Sequence, residues 1–398
     1  MKKNLLTIIL ILTILLTGCW DNKDINDLII VSSMAIDKGE NDNLDVTLLC
    51  IRPTSQKSSE NEKISQNNDV IVFSSGGEDI MDACNKISKK ISRNLFFSQM
   101  ENVLIGEYLA RENAAEYLDF FPRHPEPHLK THIFLTKGNA SKIFDNDSSL
   151  ERNIAQEIDK LKSLNLKAEV QLKDFFISLT EEGIDPIIPL LEITRSGKEN
   201  TSSTASVASI TGAGIFNKSK LVDFIDYDAY RGVLYIQNKI KLGSGTVTFP
   251  KDSGGGKITA KVLNNMTKIT PILDKDGLSV KIRIKTKAHI SENTTKLDLT
   301  KSSVINEIDT LFENRIKNLA ESAIDKAKNK NCSDVFGFGS IVRGKYPKQW
   351  EDQYKKDWKT LLPSLKVSVV CDVDITEIGF DANSLQLKEE DILKQFYK

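Results

Sequence analysis

Hydrophobic positions along the chain set the first picture. Residues 5–16 are apolar except for Thr7 and Thr13. Two more apolar runs, 28–35 and 44–51, flank a polar break containing Asp37, Gly39 and Asp42, which predicts a two-stranded hairpin. Residues 54–68, rich in Ser, Lys, Asn and Glu, read as an exposed loop, and 70–74 as another strand. Across 78–92, Ile80, Ala83, Cys84, Ile87 and Ile91 recur at three and four, the rhythm of an amphipathic helix. A buried strand over 100–106 follows, then a helix over 107–121 ended by Pro122, and a strand over 132–136. Segments 154–164 and 172–179 are again helical by period.

Segment 196–209 breaks the pattern: Ser, Thr, Gly, Lys, Glu and Asn with almost no large apolar side chain. Such a stretch buries too little to offset its ordering entropy, so a linker or loop is expected there. Beyond it, 211–216, 233–236 and 279–286 read as extended. In the last of these, Val280, Ile282 and Ile284 alternate with Lys281, Arg283 and Lys285, a strand with one wet face. Val304, Ile308, Leu311, Ile316, Leu319, Ala323 and Ala327 then form the stripe of one long helix. Alternation of Val367, Val369, Cys371 and Val373 marks a last strand. The expected class is α+β and multidomain, with mixed sheets partly covered by helices. The expected division is a leader over 1–18, an N-terminal α+β domain over 19–195, the linker or loop 196–209, and a C-terminal α+β region over 210–398. There is no convincing internal repeat.

Charge narrows the function. Among 398 residues, 54 Lys and Arg face 55 Asp and Glu, without the basic excess of a nucleic-acid binder. The apolar run of 5–16 is too short to span a bilayer, which takes about 20 residues. Preceded by Lys2-Lys3 and closed by small residues, it reads as an export signal. Its end, Leu16-Thr17-Gly18-Cys19, is similar to the bacterial lipobox, which implies cleavage before Cys19 and acylation of its thiol; the other reading is a plain secretory signal with an incidental Cys. Loss of Lys2 and Lys3 leaves acidic side chains slightly in excess, so composition does not imply a patch that hugs anionic lipid. Cys50 and Cys371, in apolar runs, read as buried small hydrophobes, and spacing cannot decide on a disulfide between any two of the four thiols other than Cys19.

Candidate chemistry is sparse. His124, His128 and His132 stand four apart, a zinc-like spacing on a helix, but Pro125 and Pro127 forbid a regular helix there, which favours an exposed loop entering a strand. Gly254-Gly255-Gly256-Lys257 lacks the leading Gly and the trailing Ser or Thr of a phosphate loop and reads as a turn between strands. Gly243-Ser244-Gly245 lacks the third Gly of a dinucleotide fingerprint. Neither Gly-x-Ser-x-Gly nor His-Glu-x-x-His occurs. The acidic pairs Glu181-Glu182 and Glu389-Glu390 read as solvated. Trp350, Tyr354 and Trp358 form an aromatic stripe that fits either packing against a sheet or an interface. No catalytic, metal-binding or cofactor-binding residue is assigned.

Ordered blocks then carry a resemblance. The segment Cys19-Trp20-Asp21-Asn22-Lys23-Asp24-Ile25 is followed by Met34-Ala35-Ile36-Asp37-Lys38. Ser92-Arg93-Asn94-Leu95 leads to Ile105-Gly106-Glu107, then come Arg123 with Pro125-Glu126, and Lys137-Gly138-Asn139-Ala140. Near the end stand Asn331-Cys332-Ser333-Asp334-Val335-Phe336-Gly337-Phe338-Gly339 and Lys345-Tyr346-Pro347, Trp350 and Trp358. In this order the blocks resemble the C-subunit lipoproteins of spore germinant receptors, the Ger(x)C family. Gln99, where many relatives carry His, and Asp223, where Gly is common, depart from the pattern. The resemblance implies three α+β domains, a lipid anchor at Cys19 and a place on the outer face of the spore inner membrane. It also implies integral membrane A-type and B-type subunits as partners, a response to small nutrients, and neither enzymatic residues nor a cofactor. The rival readings are a solute-binding lipoprotein, which would show two similar lobes around a cleft, and an exported hydrolase, disfavoured by the missing motifs.

Overall fold

The computed structural model describes residues 24–40, 43–51, 70–146, 148, 151–164, 169–196, 205–240, 243–250 and 255–377. The expected leader, Cys19, the loop over 54–68 and the Glu389-Glu390 pair lie outside the described residues. The expected α+β class holds: two mixed sheets are packed with helices.

Sheet A is built from β1 (Leu28–Lys38), β2 (Leu44–Ile51), β3 (Val70–Gly77), β4 (Asn94–Phe96), β5 (Asn102–Gly106), β6 (His132–Thr136), β7 (Ile187–Ser196), β8 (Ala205–Asn217) and β9 (Lys220–Asp226). Their order is β3-β2-β1-β5-β6-β7-β8-β9, with β4 beside β1. The centre, β1-β5-β6-β7, is parallel, and antiparallel strands extend it on both sides. Strand side chains alternate between faces, and here both faces are dry. Val103, Ile105, Ile133 and Leu135 join one core with α1 (Ile80–Ser88), α2 (Glu107–Leu118) and α4 (Leu172–Thr180). Leu104 and Phe134 join another with Ile154 and Ile158 of α3 (Ile154–Leu164).

Sheet B has the order β10-β11-β12-β13, from β10 (Ser244–Thr248), β11 (Lys257–Asp274), β12 (Gly277–Asn293) and β13 (Lys366–Glu377). One face packs on α5 (Tyr227–Ile236) and α6 (Ser302–Ile324); of the expected stripe Ile308, Ile316 and Ala323 are buried, Val304, Leu311 and Leu319 only partly, and Phe312 and Ala320, outside the stripe, are buried beside them. The helix α7 (Phe338–Lys345) sits at the seam between the sheets.

Three expectations change. Residues 233–236 are helical, because α5 is buried on all sides from Ala229 to Ile236 and so shows no polar period to read. Gly232 is where α5 crosses α6: a Cβ there would lie 2.1 Å from the Leu319 carbonyl oxygen. Of the segment 196–209, Ser196 closes β7 and 205–209 opens β8, paired as Ser196↔Ala205 through Glu192↔Ser209, while 197–204 lies outside the described residues. Backbone pairing and Ala208, buried against α3, hold this polar strand that apolar content alone did not predict. Finally, α2 ends at Leu118 and Pro122 sits inside a separate helical turn, Phe120–Arg123, where its lack of an N–H costs nothing.

Candidate functional site

Three quoted blocks meet at the carboxyl ends of the parallel strands β1, β5 and β6, the place where open α/β sheets commonly take ligands. Here the chain fills it itself. Asp37, 3% exposed at the end of β1, accepts from the backbone N–H of Ala140 at 2.6 Å and of Ser141 at 2.8 Å. Burial pushes its carboxyl above the usual range against the pull of these donors. The Glu107 N–H donates to the Gly138 carbonyl at 3.1 Å, and Lys38 pairs with Glu112, which also accepts from the Tyr117 hydroxyl at 3.0 Å.

A second convergence forms the seam between the sheets. Asp334, 1% exposed, accepts from the N–H of Phe338 at 2.9 Å, the N–H of Gly339 at 2.8 Å and the Trp358 indole at 3.0 Å. Its own N–H donates to Asp185 Oδ2 at 2.9 Å, and its carbonyl accepts from the Asp185 N–H at 2.9 Å. Burial lifts the Asp334 carboxyl to about 7; the three N–H donors oppose this and the neighbouring Asp185 adds to it. Asp185 Oδ1 accepts from the Lys218 N–H, and Lys218 Nζ reaches the carbonyls of Ser178, Glu181 and Ile184 at 3.3, 2.7 and 2.8 Å. A cation at the end of α4 suits the helix dipole. Gly183, at φ 70°, touches Gly339 so closely that a Cβ would lie 2.4 Å from the Gly339 carbonyl carbon.

Trp350 and Trp358 are buried, with ring centroids 5.3 Å apart, so of the two readings of the aromatic stripe packing is the one observed. The Trp350 indole donates to Glu182 Oε2 at 3.0 Å and Lys355 pairs with Glu182 Oε1 at 2.9 Å. Glu182 is thus engaged in the seam. No local sequence signal marks Asp185 or Lys218; in the structure Lys218 takes a left-handed backbone, φ 52°, in the β8–β9 turn.

An open recess of about 440 Å³ lies between the start of α1 and the turn after α2. Ile80, Met81, Tyr117, Phe120 and His124 give it an apolar wall, and Glu78, Asp79, Glu116 and the Asp119–Arg123 pair a polar rim. His124 packs against Phe120 with ring centroids 4.9 Å apart and the planes tilted by 33°. The three spaced histidines do not converge: His132 lies in β6, and the described residues contain no group of His, Cys, Asp or Glu that could hold a metal. The Gly255-Gly256-Lys257 turn joins the antiparallel β10 and β11, as expected of a turn between strands. Cys50, Cys84, Cys332 and Cys371 are free thiols, Cys50 and Cys84 buried and Cys371 half-buried. No described helix is long and apolar enough to cross a membrane.

The whole is thus a two-sheet α+β protein in which Asp37, Asp334, Trp350 and Trp358 are spent on internal contacts. The family model for the spore germination protein N-terminal domain matches residues 21–193, and the model for the spore germination B3/GerAC-like C-terminal domain matches 211–379. The chain belongs to this spore germination family, in agreement with the resemblance read from its motifs. It is 27% identical over 389 residues to the putative spore germination protein YfkR of Bacillus subtilis, covering 95% of this chain and 98% of that one. It is 24% identical over 408 residues to spore germination protein KC of the same organism, covering 98% and 99%. The crystal structure of the GerBC protein shares the fold, with a TM-score of 0.53 at 19% identity over 86% of this chain and 96% of that one.

Proposed function

We propose that this chain is the non-catalytic C subunit of a nutrient germinant receptor, anchored through an acylated Cys19 to the outer face of the spore inner membrane. Its partners in this reading are the integral membrane A-type and B-type subunits. The observation that carries the proposal is the ordered match of both family domains across the body of the chain. The internal use of Asp37, Asp334, Trp350 and Trp358 supports a body that offers surfaces rather than reactive groups. Tethering would raise the effective concentration of such surfaces for membrane-embedded partners, so weak contacts suffice. Cys19→Ala is expected to give folded protein that leaves the membrane fraction and supports nutrient germination poorly. Normal membrane retention and a normal nutrient response would overturn the anchoring.

The solute-binding reading has one observation in its favour, the recess, whose size falls among small-ligand pockets. The two sheets differ in strand number and topology, unlike the paired lobes such proteins show. Titration of this chain with amino acids and sugars decides: saturable tight binding by the chain alone favours the solute binder.

A further inference from the structure

The outer face of sheet B concentrates positive charge. On β12, Lys281, Arg283, Lys285 and Lys287 are all exposed and, at a period of two, stand on one face. On β11 the exposed Lys261 and Lys268 share that face: Lys268 lies directly opposite Arg283, and Met266 directly opposite Lys285. Like charges placed directly across a strand pair are destabilising, so the fold carries this row at a cost to itself. The acids on the face lie at its margins: Asp274 at the β11–β12 hairpin, Glu292 at the far end of β12 opposite Thr259, and Asp372 and Asp374 on β13. Asp372 stands opposite Lys285 and 3.9 Å from Arg283, and Asp374 opposite Lys287. The buried sides of the same strands pack on α5 and α6, and no described helix covers the charged side.

We infer that this face is a docking surface for an anionic lipid bilayer, which it meets through Lys261, Lys268, Lys281, Arg283, Lys285 and Lys287. Three observations favour a bilayer over an acidic protein. Protein interfaces are enriched in aromatics and Arg and depleted in Lys; these six are Lys except for Arg283, and the exposed positions of the face hold no Phe, Tyr or Trp. Among the lysines stand Leu263 and Met266, 46% and 62% exposed, single apolar side chains suited to dip between headgroups. The nine residue-to-residue steps from Cys19 to Leu28 span at most about 30 Å, so an acylated Cys19 would hold the body near the headgroups. This last point rests on the anchor proposed above; the first two do not.

The test uses the chain from residue 19 onward carrying Cys19→Ser, so that no acyl chain can contribute; every core cluster lies beyond residue 24. Vesicles of phosphatidylcholine, alone or mixed with phosphatidylglycerol, are sedimented with the protein. The expected result is binding to the mixed vesicles that weakens with salt and drops roughly 100-fold in K285E/K287E, which stays cooperatively folded at a lowered thermal midpoint because its new carboxylates face Asp372 and Asp374. Met266→Cys carrying an environment-sensitive dye should report an apolar surrounding on the mixed vesicles only. Equal binding by parent and K285E/K287E, or none to either vesicle, overturns the inference. So does a K285E/K287E chain that keeps vesicle binding but loses a membrane-protein partner. Because the tested chain has no acyl group, a failure here leaves the anchor standing, and an unlipidated Cys19 leaves this surface standing.

Discussion

The parallel centre of sheet A is dry on both faces, whereas sheet B is dry on one and lined with lysines on the other. In sheet A, side chains of both strand faces enter core clusters, and the polar groups at the strand ends are turned inward: Asp37 is consumed by the turn at Ala140 and Ser141. In sheet B, Val280, Ile282 and Ile284 build the core while Lys281, Arg283 and Lys285 face solvent on the same strand. The described motif residues fall in sheet A and in the seam, where Asp37, Asp334, Trp350 and Trp358 hold the fold together. The basic row belongs to no quoted block and, apart from the exposed Arg283–Asp372 pair, is left facing solvent, which makes it the better place to look for contact with something outside. Net charge hid this: a total of −1 is compatible with strong segregation once strands sort alternate residues onto opposite faces.

The sharpest way to break the comparison is through the seam. If Trp358 packs the junction, Trp358→Ala removes a buried indole and one of the donors to the Asp334 carboxylate. The expected loss is about 3–5 kcal/mol, read as a fall in the urea midpoint. An unchanged midpoint would return the aromatic stripe to the interface reading.

Asp334 itself gives the next largest effect, and it has a pH signature. Its folded carboxyl titrates near 7, raised chiefly by burial, whereas an unfolded Asp titrates near 3.9. Between about pH 4 and 7 the folded chain holds a proton that the unfolded chain has released. This group's contribution is therefore complete below about pH 4 and is lost as pH rises through 7, with a slope of at most about 1.4 kcal/mol per pH unit. Asp334→Asn should flatten that part of the stability profile. It should also cost about 1–3 kcal/mol, since its amide turns a donor towards the N–H of Phe338, or towards those of Gly339 and Trp358. Parallel pH profiles for the two chains would show that Asp334 does not titrate in this range.

Much of the fold was legible because the period was clean. The strand over 132–136 and the helix over 154–164 stand where the apolar pattern put them. The pattern failed where a partner replaced it. Helix α5 lost its polar face to burial between α6 and the sheets, and the opening of β8 is polar because pairing with β7, not apolar content, holds it. The seam was half legible: Asp334, Trp350 and Trp358 belong to quoted blocks, but their partners Asp185 and Glu182 come from more than a hundred residues away, a distance no local rhythm spans. The basic face was seen as one wet strand, and only the register of β11 against β12 made it a surface.

The edge of sheet B offers the smallest and most local test. Strand β13 ends the sheet, and N–H groups on its free side would invite another strand. Two carboxylates of α6 cover them instead: Glu313 accepts from the Val373 N–H and Asp309 from the Ile375 N–H, each at 3.1 Å. Burial raises the Asp309 carboxyl, and the nearby Asp374 and Glu313 add to the rise. Glu313→Ala should leave the Val373 N–H without its acceptor and cost about 0.5–1.5 kcal/mol, while Glu313→Gln, which keeps an acceptor oxygen, should restore most of it. An exposed β13 edge should also show as concentration-dependent association in size-exclusion chromatography of the alanine variant alone. Equal stability and equal elution of all three chains would mean that α6 covers the sheet by apolar packing only, and that the lysine face is the sole part of sheet B where charge has a use beyond solubility.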